Sequence, residues 1–271
     1  MRSVASGLVA IGILFTCGCA TEHIPATGQT TSYGAGDDGA VRAGAAQSFT
    51  DNHDGTITDN NTGLMWEKKV QGTGGGKRCT DETGVCANPH NADNKLQGTS
   101  LGRRCRDETG TCANPHNADN KYTWSAGVCC SQTAYDGTVK TIFLNQLNNR
   151  CNHNTAVVCA SNADCSALGG ACGFAGHRDW RLPNKNELAS IIDNGTDSPA
   201  LNVAFHGANC GPACTDFTNP GCSCDASSGY WSGSTISGLP AVGWGTNTEG
   251  GNADVNNKTT NCNARAVRGG F

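Results

Sequence analysis

Residues Gly173 to Leu188 read Gly-Phe-Ala-Gly-His-Arg-Asp-Trp-Arg-Leu-Pro-Asn-Lys-Asn-Glu-Leu. Asn184 with Glu187 three residues on is a capping box, in which the two side chains bond each other's backbone N–H groups and start a helix. Leu188, Ile191 and Ile192 follow at helical spacing, and Gly195 is placed to end the helix. A helix therefore begins at this stretch and turns one apolar face inward.

Upstream, Val139, Ile142, Phe143 and Leu147 fall on one helical face after Asp136-Gly-Thr138. Thr56-Ile-Thr-Asp59 and Leu64-Met-Trp-Glu-Lys-Lys-Val70 read as two strands joined by the turn Asn60-Asn-Thr-Gly63. Downstream, short strand-like pieces lie at Gly229–Thr235, Ala241–Thr246 and Ala264–Gly269, between loops rich in Cys, Gly and Asn. Two helices and several short antiparallel strands indicate an α+β domain over residues 48–271.

That domain carries a duplicated Cys-rich loop, residues 78–121. Arg78 to Lys95 recurs as Arg104 to Lys121, with two substitutions in 18 positions. Two copies without an apolar stripe do not make a solenoid. Only the second runs directly into Tyr122-Thr-Trp-Ser125, so the first reads as the inserted copy.

The N-terminus reads as an export signal, residues 1–18. Arg2 and the short apolar run Gly7–Phe15 lead to Leu14-Phe-Thr-Cys-Gly-Cys19, a run too short to span a bilayer. The pattern resembles a bacterial lipoprotein signal with lipidation at Cys19; Cys17 is the second choice, and an ordinary cut after Ala20 the alternative. Residues 19–47, poor in anything to bury, read as a flexible tether. The expected location is the cell envelope, outer membrane or cell surface, with the membrane as partner through the lipid anchor. Nineteen basic residues, Arg2 among them, face 23 acidic ones, and acids follow each small basic cluster closely. Nucleic acid is excluded as a partner on that ground.

Seventeen cysteines in an exported chain indicate disulfides. Cys79 and Cys86, like Cys105 and Cys112, bracket a tight turn. With His90 or His116 each pair could serve zinc, but the oxidising compartment favours a disulfide closing a small loop. Cys129 and Cys130 are adjacent and expected to bond elsewhere. Cys151, Cys159, Cys165 and Cys172 form one cluster and Cys210, Cys214, Cys222 and Cys224 another, each with three connectivities open. Cys262 is left over as the candidate free or long-range thiol.

No catalytic constellation stands out: the Ser residues lack a nucleophile elbow, and the His residues lack an obvious carboxylate partner. Asp51, Asp54, Asp93 and Asp119 offer oxygens to calcium without the spacing of an EF-hand loop, and Asp before Gly is a turn former. No metal or other cofactor is assigned, and calcium stays open.

These segments, from Phe49–Trp66 through Gly173–Leu188 to Tyr230-Trp-Ser and Ala264–Gly270, together resemble the family named for the C-terminal domain of the Legionella collagen-like adhesin. The resemblance covers Ser48 to Gly270 and implies a surface-displayed binding or adhesion module rather than an enzyme. It also implies a C-type lectin-like, formylglycine-generating-enzyme-like fold. The region before the last strand, Asn247 to Lys258, would be the ligand loop, with Asn247, Asn252, Asp254, Asn256, Asn257 and Lys258 facing a glycan or a host or neighbour-cell surface. Trp180, Arg181, Trp231, Trp244 and Arg268 form the family's aromatic and cationic skeleton, expected mostly in the core. The calcium-dependent sugar-binding elements and a collagen-like tract are absent. A structural envelope protein and a formylglycine-generating-type oxidase are the rival readings.

Overall fold

The structure, a computed structural model, describes residues 24–270 except 71–77, 81–103, 107–114, 128–130, 153, 208–209, 211–213 and 215. The export signal, Cys19, Cys86, Cys112, Cys129, Cys130, His90 and Asp93 lie outside the described residues. Cys79 and Cys105 are described by their backbone alone.

In chain order the elements are α1 (Asp38–Val41), β1 (Phe49–Asp51), β2 (Thr56–Asp59), β3 (Met65–Glu67), β4 (Arg78–Thr80), β5 (Arg104–Arg106) and β6 (Lys121–Tyr122). A wide π-type turn at Val139–Leu144 runs into α2 (Asn145–Asn148), followed by β7 (Arg150–Cys151), β8 (Asn154–Val158) and α3 (Lys185–Ala189). The chain ends in β9 (Gly229–Ile236), β10 (Leu239–Asn247), β11 (Asn252–Asn257), β12 (Cys262–Asn263) and β13 (Val267–Arg268). The domain is α+β with few helices and mostly antiparallel strands, as expected.

The larger sheets run β1-β2-β3-β13 and, second, β11-β10-β9-β12-β6, while β4-β5 and β7-β8 pair as two-stranded ribbons. The pairing of β13 with β3 closes the two ends of the domain on each other. In the second sheet β12 runs parallel to β9, and all other pairings are antiparallel. The two repeat copies meet as β4 and β5, with Cys79 in register with Cys105.

Two apolar clusters fill the interior. One joins Trp66, Leu188, Ile191, Phe205, Tyr230 and Val267, and the other joins Tyr122, Trp124, Phe143, Leu147, Trp180 and Trp231. Each such buried side chain contributes about 1.5–3 kcal/mol. Trp231 Nε1 donates to Tyr122 O at 2.7 Å and Trp180 Nε1 to Phe174 O at 3.0 Å, whereas the buried Trp66 Nε1 has no hydrogen-bond partner among the described residues.

Three expectations are corrected. The helix begun at Asn184 ends at Ala189, well before Gly195, because Ile192 turns out to form a β-bridge with Leu201. The last strand-like piece, Ala264–Gly269, is strand only at β13, since residues 264–266 carry the chain from β12 in one sheet to β13 in the other. The segment read as a free tether is docked from residue 24 onward. Gln47 Nε2 donates to Ser190 O and Ile192 O at 2.9 and 2.7 Å, and Asn194 N donates to Thr27 O at 2.7 Å. Low apolar content hid a strap held by backbone hydrogen bonds.

The two cysteine clusters are closed locally. Cys151 pairs with Cys165 and Cys159 with Cys172, interleaved; Cys214–Cys222 is nested inside Cys210–Cys224. Such bridges stabilise chiefly by restricting the unfolded chain, by about 2–4 kcal/mol each. Cys262 is a free, buried thiol, matching its expectation.

Candidate functional site

The stretch Asn247 to Lys258 is a strand and its turns, not a flexible loop. Asn247 ends β10, and Asn252 to Asn257 form β11, paired to β10 through six register positions from Val242↔Asn257 to Asn247↔Asn252. The Asn/Asp alternation of 252, 254 and 256 is the period of a strand, so those three side chains share one face and Ala253, Val255 and Asn257 the other. Asn247 Oδ1 accepts from Glu249 N at 3.0 Å and shapes the turn. Asp254 accepts from Val255 N and from Asn256 Nδ2. Lys258 is removed from any ligand surface: it is 2 % exposed, with Nζ 3.7 Å from the centre of the Trp124 ring. Its carbonyl accepts from Trp124 N and Ser125 N, so burial of the stem and stacking of the ammonium fix it inside.

On the opposite face of the hairpin, Trp244 stands in register with Val255, which is 45 % exposed. Trp244 is only half-buried, unlike Trp66, Trp124, Trp180 and Trp231. Lys185, the first residue of α3, holds its Nζ 4.0 Å from the Trp244 ring centre. Lys185 also lines a groove of about 520 Å³, together with Asn186, Ser190, Asn194, Thr246 and Ala253. The far wall is the docked strap, Ile24 to Thr27. The capping box sets this geometry: Asn184 Oδ1 accepts from Asn186 N and Glu187 N, and Glu187 accepts back from Asn184 N. Lys185 N donates to Ser234 Oγ at 3.0 Å, tying the helix start to β9. Ala189 and Ile192 also line the groove, so its surface is mostly apolar with polar groups set into it. An aromatic face beside it can stack on a flat apolar surface while those groups hydrogen-bond hydroxyls.

The charged residues of the Asp179-Trp-Arg segment serve the fold. Arg181 makes two 2.7 Å bonds to the Glu187 carboxylate and a third to Gly269 O. Arg268 Nε donates to Asp179 at 2.7 Å. The segment thus pins α3 to β13.

A third group escaped sequence reasoning. Glu67, Lys69 and His116 meet in the interior, with side chains 0 %, 1 % and 7 % exposed. Lys69 Nζ lies 2.9 Å and His116 Nδ1 2.8 Å from Glu67 Oε1, while Ala266 N donates to Oε2 at 3.0 Å. Arg265 closes the cluster by donating to Glu67 O and Cys224 O. Burial pushes the Glu67 carboxyl up, but the charge of Lys69 and the hydrogen bond and charge of His116 outweigh it, so the net shift is down. Burial pulls Lys69 down to about 8, and burial lowers His116 against the opposing pull of Glu67. His116 is therefore neutral near pH 7 and donates Nδ1–H to the carboxylate. The expectation that the histidines lack a carboxylate partner is wrong for His116; the partner is 49 residues away.

Two of the acids proposed for calcium, Asp51 and Asp54, are engaged by protein groups. Asp54 Oδ1 accepts from Thr56 N and Oγ1, and Asp51 accepts from His53 N and pairs with Lys68 at 2.6 Å. Among the described residues the one cluster of three metal-ligand types is Cys151, Cys159 and Cys165, all in disulfides. No helix among them is long and apolar enough to cross a membrane.

Residues 55–268 match the family described as Lcl C-terminal domain. No curated protein and no solved structure matches the chain.

Proposed function

The chain belongs to the Lcl C-terminal domain family, and from that membership we propose an exported, lipid-anchored module that binds saccharides in the groove beside Trp244. The family points to an adhesin-like, cell-surface protein. Beyond that, the reading rests on one observation: a half-buried tryptophan whose ring is covered by Lys185, itself part of a mostly apolar groove that also carries Asn186, Ser190, Asn194 and Thr246. Sugar rings present flat apolar C–H faces flanked by hydroxyls, which a tryptophan face and short polar side chains complement. The C-type lectin-like fold belongs to this reading, supported by the closure of β13 onto β3 and by two small sheets carrying long connections.

The module acts by binding and not by catalysis. The buried cluster of Glu67, Lys69 and His116 lies where no substrate in solution reaches it. Lipidation at Cys19 carries over from the signal pattern. Among the described residues the oxidase and envelope-scaffold readings have no comparable surface feature behind them.

The test is a glycan array with the unacylated chain beginning at Ala20, with and without calcium, beside Trp244→Ala. Saturable binding to one saccharide class, lost in the variant, supports the reading. A blank array overturns it and favours a structural envelope role.

A further inference from the structure

Residues 24–47 carry the two most exposed large hydrophobics among the described residues, Ile24 and Tyr33 at 85 % each, with Val41 at 61 %. The segment is nonetheless ordered against the domain. Pro25 and Ala45 form a bridge, Asp37 caps α1 through Ala40 N, and Arg42 donates to Thr30 O at 2.9 Å. Its seat is made for glycine. A Cβ at Gly28 would lie 2.1 Å from Asp193 Oδ1, and one at Gly195 would lie 2.6 Å from Gly28 O. A segment held so closely, yet showing its largest apolar side chains outward, has a second surface to cover.

The position of that surface follows from the chain. Cys19 precedes Ile24 by five residues, which span at most about 17 Å when fully extended. That length is comparable with the radius of gyration of a domain this size, about 17 Å. An acylated Cys19 therefore leaves the domain almost no free tether, and Ile24 lies at the bilayer.

We propose that residues 24–47 are a docked strap that seats the domain on the lipid bilayer, with Ile24, Tyr33 and Val41 entering the headgroup region. This rests on the reading of Cys19 as the acylation site. Isoleucine and valine supply apolar area there, and tyrosine suits the boundary because its ring is apolar and its hydroxyl wet. The strap would hold one face of the module to the membrane, where a free 28-residue tether would let it tumble.

The experiment uses the full chain purified from membranes and placed in phosphatidylethanolamine–phosphatidylglycerol vesicles. Mass spectrometry of the N-terminal peptide comes first, then hydrogen exchange of peptides within 24–47, against the unacylated chain in solution. The expected result is acylated Cys19 and at least tenfold slower exchange on vesicles. Ile24→Ser/Tyr33→Ser/Val41→Ser, all exposed positions, should abolish that slowing while leaving the exchange of β9 and β10 unchanged. The inference alone is overturned by an acylated chain whose strap exchanges equally fast on vesicles and in solution, or by a triple variant that stays protected. An unacylated Cys19 overturns the anchor reading and the inference together.

Discussion

Glu67 Oε1 lies 2.8 Å from His116 Nδ1 and 2.9 Å from Lys69 Nζ, in a site closed to solvent. The contact joins β3 to the end of the second repeat copy, and Ala266 N on the second carboxylate oxygen joins both to the strand switch before β13. Removing one partner of a buried ion pair strands the other. Glu67→Ala is therefore expected to cost about 3–5 kcal/mol, since it leaves a buried ammonium and a backbone N–H without their acceptor. Glu67→Gln keeps an acceptor and should cost less. Urea denaturation of both variants checks this, and equal, small losses would show that the cluster carries no stability.

The same cluster predicts the acid response. His116 and Glu67 both have pKa values lowered by folding, so the unfolded chain binds more protons wherever these groups titrate. Stability must then fall with decreasing pH, first below about 6.5 where unfolded histidine protonates, then below about 4.5 where unfolded glutamate does. Thermal midpoints measured from pH 8 to 4 should decline across both windows. His116→Gln should flatten the upper one; an unchanged slope there would assign it to another group.

Much of this was legible in the sequence because it is local. The capping box at Asn184 and Glu187, the turn at Asn60–Gly63 and the closure of each cysteine cluster on itself all depend on residues within about 15 positions. What was missed is long-range. Glu67 and Lys69 fall among alternating strand residues and carry the charges of a solvated face, and nothing near them announces His116. Four cysteines in a loop allow three connectivities, and spacing alone does not choose between interleaved and nested pairing. Asn252 to Asn257 reads as loop by composition, and becomes a strand because Trp244 and its neighbours supply a partner. The strap is invisible to apolar patterning because backbone hydrogen bonds hold it.

Two glycines on the paired strands β9 and β10, one closely packed and one not, separate space from propensity. A Cβ on Gly245 would lie 2.5 Å from Tyr230 O on the neighbouring strand, whereas one on Gly233 would meet nothing nearer than 3.7 Å. Gly245→Ala must push β10 from β9, at a cost of about 1–3 kcal/mol. Gly233→Ala should stay within about 0.5 kcal/mol of the parent. Paired thermal melts decide it, and equal effects would show that the sheet relaxes freely.

Cys262 offers a chemical check on the core. Burial, with a smaller contribution from the Asp254 charge, pushes its thiol up to about 12. Compared with an ordinary thiol of about 8.5, the thiolate fraction near pH 8 is lower by about a thousandfold. Alkylation of the Cys262 peptide by iodoacetamide should be at least 100-fold slower in native protein than in 6 M guanidinium (on the order of full unfolding for a small domain). Fast native alkylation would mean that the β6–β12 region opens.

Trp244 is where the binding proposal meets a number. Its ring is half-buried, so Trp244→Ala removes stacking surface and some packing together. Trp244→Phe keeps an aromatic face and separates the two effects. If a saccharide stacks there, Trp244→Ala should weaken binding at least tenfold, about 1.4 kcal/mol, while Trp244→Phe retains most affinity. Lys185, 4.0 Å over the same ring, should matter only for anionic saccharides, so Lys185→Ala should reduce the salt dependence of their binding and leave neutral ligands alone. Isothermal titration at 20 and 200 mM salt (Debye lengths of roughly 20 and 7 Å) reads both effects. Full affinity in Trp244→Ala with an intact thermal melt would move the ligand site away from this face, to the Asn252–Asp254–Asn256 side of β11.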